Sequence, residues 1–82
     1  MTFYEQVKRI ERIDYLIRIK STGTPSELAD KLGISRSQLY QIIKIMKEDF
    51  DAPVRYSRAR QCYYYLEDVK FVCAFTTEEN VA

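Results

Sequence analysis

Arg36, Ser37, Tyr40, Gln41, Lys44 and Lys47 are the side chains whose types and spacing suit recognition chemistry. Positions 37, 40, 41 and 44 follow the i, i+3, i+4, i+7 spacing that puts residues on one face of a helix. A guanidinium pairs bidentately with guanine and a carboxamide with adenine, each such pair discriminating between bases by about 1–3 kcal/mol. Ammonium groups and hydroxyls complement phosphate oxygens instead, so Lys44 and Lys47 suit the backbone, as do Ser37 and a helix N-terminus at Ser35. A second group, Arg58, Arg60 and Gln61, sits in a short polar stretch suited to phosphates or to an adjacent minor groove. Each of these residue types is also an ordinary occupant of a solvated surface. What distinguishes the two readings is whether the surrounding chain builds a scaffold that presents them.

Catalytic chemistry finds less support. The 82 residues contain no histidine, and Cys62 and Cys73 are the only cysteines, with neither a CxxC pair nor another zinc-ligand grouping. No glycine-rich phosphate loop or recognisable pair of acid–base carboxylates is present. The expectation is a protein that is not an enzyme, holds no metal or cofactor, and keeps its cysteines as reduced thiols.

The scaffold is punctuated by four residues: Gly23, Pro25, Gly33 and Pro53. Thr2 as N-cap with Glu5 three residues on predicts a capping box and a first helix running to about Lys20, with apolar residues at Phe3, Val7, Ile10, Ile13, Leu16 and Ile17. Thr24-Pro25-Ser26-Glu27 restarts a helix with a capping Thr, Pro at the first position and Glu at the third. Leu28, Ala29 and Leu32 give its buried stripe, and Gly33 follows where a left-handed cap is usual. Ser35 and Gln38 form another capping pair, opening a third helix whose apolar face is Leu39, Ile42, Ile43, Met46 and Phe50. Beyond Pro53, two β-prone runs, Val54-Arg55-Tyr56 and Cys62-Tyr63-Tyr64-Tyr65-Leu66, flank the basic stretch and predict a hairpin. Tyr63 to Tyr65 should alternate between core and surface. Residues 70–75 are a candidate further strand, and 76–82 a polar tail outside the domain of 1–75.

A net charge of +1 hides a segregation along the chain. Residues 34–62 carry six Lys/Arg against three Asp/Glu, whereas 63–82 carry one against four. Local patches rather than totals attract phosphates.

The short helix, the tight turn at Gly33 and the longer amphipathic helix make a helix-turn-helix, with Ala29 allowing close approach and Ile34 filling the space between the helices. Three further stretches carry a likeness: Arg12-Ile13-Asp14-Tyr15-Leu16-Ile17, Gly23 through Arg36 with Leu39-Tyr40, and Ala52-Pro53-Val54-Arg55-Tyr56 leading to Tyr63-Tyr64-Tyr65. Over residues 10–66 the chain resembles the winged helix-turn-helix domains of DeoR-type and WYL-associated bacterial transcriptional regulators. The resemblance implies an α+β fold, three helices followed by a β-hairpin wing. It also implies double-stranded DNA as partner, with the helix of 36–47 in the major groove and the wing of 57–61 on phosphates or the minor groove. Such regulators usually carry a C-terminal ligand-sensing domain. Here sixteen residues follow the wing, so no small-molecule effector is inferred.

Phe3, Tyr4 and Val7 extend apolar surface beyond what so small a core needs. They either pack on the last strand or form a contact between two copies, as paired half-sites would require. The alternative to DNA binding is a winged helix used as a protein-interaction or assembly module, since fold does not fix function. No apolar stretch approaches the roughly 20 residues that cross a bilayer, and the N-terminal residues alternate charged with apolar, so the expected setting is the cytoplasm, away from membranes.

Overall fold

The computed structural model describes residues 2–72, arranged as α1 (Phe3–Arg18), α2 (Pro25–Leu32), α3 (Arg36–Asp49), β1 (Val54–Ser57) and β2 (Cys62–Tyr65). Three helices followed by a two-stranded antiparallel hairpin make an α+β fold with the layout of a winged helix. No helix among the described residues is long and apolar enough to cross a membrane.

Each helix starts on a side-chain cap. Thr2 accepts the Glu5 N–H at α1. At α2 and α3 the reciprocal box is complete, Thr24 with Glu27 and Ser35 with Gln38. These bonds satisfy backbone N–H groups that a helix start leaves without partners. The Thr24 N–H, donating to Glu27 Oε1, also holds that carboxyl below its usual range.

The stops differ in kind. Gly33 ends α2 in the left-handed region at φ 68°, and the Ile34 N–H reaches back to the Ala29 carbonyl. α1 ends the same way without a glycine: Lys20 takes φ 58°, its N–H bonds to Ile17 O, and the Ser21 N–H bonds to Leu16 O. That turn closes the helix at Arg18, two residues short of the predicted limit at Lys20.

α1 packs against α3 and β2, α2 against α3, and β1 against α3. The core they enclose contains Ile10, Ile13, Leu16 and Ile17 of α1, Leu28 and Ala29 of α2, Leu39, Ile42, Ile43 and Met46 of α3, and Val54 and Tyr63 of the hairpin. Leu32 and Ile34 are half-buried against it, as expected for the stripe and the plug of the turn. Two aromatic expectations are corrected. Phe50 is half exposed: it lies one residue beyond α3, at its C-cap, and meets only the edge of Phe71, with ring centroids 5.4 Å apart. Phe3 is exposed and Val7 only half-buried, because they lie on the N-terminal turns of α1, ahead of Ile10, where its buried face begins.

In the hairpin, Val54 pairs with Tyr65 and Tyr56 with Tyr63. Period-two alternation turns Val54, Tyr56, Tyr63 and Tyr65 inward and leaves Arg55 and Tyr64 on the other side. The Tyr56 and Tyr63 rings meet edge-on, centroids 5.0 Å apart. Residues 70–72 do not continue as a strand, and the rest of the predicted strand, with Cys73 and the tail of 76–82, lies outside the described residues.

Two polar contacts, neither visible in the periodicity, seat the hairpin on the helices. Thr22, fully buried between α1 and α2, accepts the Tyr63 N–H at 2.8 Å and donates to the Gly23 carbonyl. Buried Asp14 of α1 accepts the Tyr65 hydroxyl at 2.7 Å on one oxygen and Arg18 Nε at 3.0 Å on the other. Both contacts satisfy polar groups that burial would otherwise leave unpaired.

Candidate nucleic-acid interface

The buried side of α3 is Leu39, Ile42, Ile43 and Met46; Arg36, Ser37, Tyr40, Gln41, Lys44 and Lys47 are all exposed on the other side, with the acidic Glu48 among them. Projected at about 100° per residue, Ser37, Tyr40 and Lys44 fall towards the middle of that face, and Lys47 lies close to Arg36. Arg36 lies at the edge beside Ile43, and Gln41 at the opposite edge beside Ile45. The expected face is therefore assembled, with Ser37, Tyr40 and Lys44 at its centre.

The two edges have different neighbours. Gln41 joins Gln38, Ile42 and Ile45 in walling an open cleft of about 460 Å³ whose other side is Thr2, Phe3 and Gln6 at the start of α1. Tyr40 is near the hairpin: together with Tyr56 it adds to the effect of burial, which is the main cause pushing the Tyr63 phenol up to about 12.

Ser35 has a structural task already. Its hydroxyl accepts the Gln38 N–H at 3.1 Å, and the Gln38 carboxamide oxygen accepts the Ser35 N–H at 3.0 Å. This fixes the start of α3 and sets the direction in which Arg36 and Ser37 leave the turn. Lys44 stands 3.9 Å from Glu48, both well exposed, a spacing at which surface ion pairs hold a side chain weakly.

At the wing, the strands end at Ser57 and Cys62, and the turn between them is Arg58-Ala59-Arg60-Gln61, all exposed. Ser57 Oγ accepts the Arg60 N–H at 3.2 Å, and Gln61 takes φ 54° to close the turn. The two arginines and Gln61 are therefore at one tip, within four consecutive residues. Arg55 was not among the residues singled out by type. It lies exposed on the outward side of β1, its guanidinium donating to its neighbour's carbonyl at 2.8 Å. Alternation with inward Val54 and Tyr56 is the signal that places it there.

Phe3 and Tyr4, the residues considered for a contact between copies, are 78% and 68% exposed. Burial beneath a final strand does not occur among the described residues. Among the same residues no group of three or more His, Cys, Asp or Glu is placed to hold a metal ion.

Comparison of the chain with protein-family models, with curated proteins and with solved structures finds no match in any of the three.

Proposed function

We propose that this domain binds double-stranded DNA sequence-specifically, as a small transcriptional regulator, with α3 in the major groove and the wing tip on phosphates or the adjacent minor groove. The observation that carries the reading is the exposed face of α3. A helix fixed at its start by a two-way cap presents Arg36, Ser37, Tyr40, Gln41, Lys44 and Lys47 with no aliphatic residue among them, and a tip with Arg58 and Arg60 belongs to the hairpin whose β1 packs against the same helix. A helix of this width fits the major groove, and its N-terminal residues are the ones that reach base edges in helix-turn-helix docking.

The test is a fluorescence-anisotropy titration of labelled random-sequence duplex at about 50 mM and about 200 mM salt, a range over which six to ten phosphate contacts change affinity by roughly 10³–10⁵. Saturable binding that collapses at the higher salt supports the reading and opens the way to operator selection. Absence of binding at both salts overturns it.

One observation favours a second reading, a protein-interaction or assembly module: the exposure of Phe3 and Tyr4 on the first turn of α1. The same pair would serve a homodimer reading two half-sites. A monomeric mass at tens of micromolar, unchanged by Phe3→Ser with Tyr4→Ser, would count against the homodimer, whereas duplex binding with a steep salt dependence would count against the interaction module.

A further inference from the structure

Away from α3 and the wing, one open cleft of about 280 Å³ gathers positive charge. Its walls are Lys8, Arg9 and Arg12 of α1 and Lys31 in the last turn of α2, with Leu32 beside them. Positions 8, 9 and 12 share one flank of α1, and α2 brings Lys31 up against it. Arg9 Nη1 is shut off from solvent and has no hydrogen-bond partner among the described residues. Gln6 Oε1, three residues earlier on the same side of α1, is likewise buried without a partner, so Arg9 is not held in place by an ion pair or hydrogen bond at that atom.

Little on the protein neutralises the group. Glu11 lies 3.6 Å from Lys8 with both side chains largely exposed, and Lys8 also stands over the Tyr4 ring. Glu27, one turn before Lys31, accepts the Thr24 N–H and keeps its charge, offsetting part of that of Lys31, while Arg9 and Arg12 have no such partner among the described residues. Lys31 is steadied by donating to the Ser21 carbonyl at 2.6 Å, which fixes its ammonium at the cleft and leaves two of its three donors.

We infer that this cleft is a phosphate-binding site, in which Arg9, Arg12 and Lys31 share the oxygens of one phosphoryl group. Guanidinium forks match phosphate bidentately and an ammonium adds a point charge, which is the donor set present. The group can come from a backbone phosphodiester of bound duplex or from a free phosphate or phosphorylated small molecule. The site itself does not depend on the DNA-binding reading.

The experiment is a ¹H–¹⁵N chemical-shift titration of the full chain with inorganic phosphate, against chloride at matched ionic strength, followed by a short random-sequence duplex. Saturable shifts at the amides of Arg9, Arg12, Lys31 and Leu32 are expected with phosphate and not with chloride. The apparent affinity should fall roughly tenfold or more in Arg9→Gln with Arg12→Gln, and also in Lys31→Gln, each checked for an unchanged urea midpoint. Shifts of the same amides by duplex identify a phosphodiester as the donor, and their absence assigns the site to free phosphate. Failure of phosphate to saturate any of these amides, or equal responses in all variants, overturns the site. Arg58→Gln with Arg60→Gln should weaken duplex binding and leave the phosphate response intact, so failure of duplex binding alone speaks against the DNA reading and not against the cleft.

Discussion

Replacing Thr22 with valine would leave the buried Tyr63 N–H without its acceptor while keeping the side chain's shape. The expected loss is about 1–3 kcal/mol, the penalty of an unsatisfied buried group, read as a lower urea midpoint at unchanged slope. Thr22→Ser, which keeps the hydroxyl, should recover most of it. Tyr65→Phe acts on the other contact by removing the donor to Asp14, and a similar loss is expected. At the recognition surface the side chains should divide by task. Arg36→Gln should weaken duplex binding and change preference at one base pair by about 1–3 kcal/mol, whereas Arg58→Gln or Arg60→Gln should weaken all sequences alike and reduce the salt slope by about one each. Binding of a randomised duplex library by each variant checks this, and equal, sequence-independent losses from all three would defeat the division.

At the scale of elements, the turn between α2 and α3 rests on Gly33. A Cβ built there would meet nothing within 4 Å, so the demand on this residue comes from its φ of 68° and not from crowding. Gly33→Ala should therefore cost about 1–2 kcal/mol, the penalty of left-handed backbone for a residue with a Cβ, and Gly33→Asn less, as measured by thermal melts. Gly23 differs, because a Cβ there would lie 3.0 Å from that of Glu27, which caps α2. Why some elements were legible in the sequence and others were not follows from the same distinction. The caps at Thr24 and Ser35 and the stop at Gly33 are local, each made by residues three to five apart, and all three are where the sequence places them. The stop at Lys20 is equally local but uses a residue with no special preference for it, so its type carries no signal. Thr22 and Asp14 are read as a loop residue and a helix surface residue until the hairpin, 41 and 51 positions further on, supplies their partners. Phe3 and Phe50 show the limit of periodicity, which marks the apolar side of a helix but not whether another element covers it. For the candidate interface, helical spacing anticipated which residues share the face and which edges Arg36 and Gln41 take, but that the Gln41 edge faces the start of α1 across a cleft needed the packing of the helices.

For the molecule as a whole, the buried phenols tie stability to alkaline pH. Burial favours the neutral form, so the Tyr63 phenol is pushed up from 10.0 to about 12. Tyr65 moves in the same direction, through burial first and then its bond to Asp14 and that group's charge, with Arg18 opposing. A folded value above the unfolded one means that the linked stability is whole below about pH 10 and is lost as pH rises through the folded value. Urea midpoints should hold steady up to about pH 9 and fall between about pH 10 and 12; Tyr63→Phe should blunt the fall. The bond between Thr22 and Tyr63 also has a consequence in time. It joins residues 41 positions apart, so it can form only after a long stretch of chain has been closed, whereas the helix caps form within their own turns. That ordering predicts that the wing docks late, after the transition state. Thr22→Val should accordingly leave the refolding rate nearly unchanged in stopped-flow experiments and speed unfolding, making the seat of the hairpin the part of the domain that sets how long it stays folded.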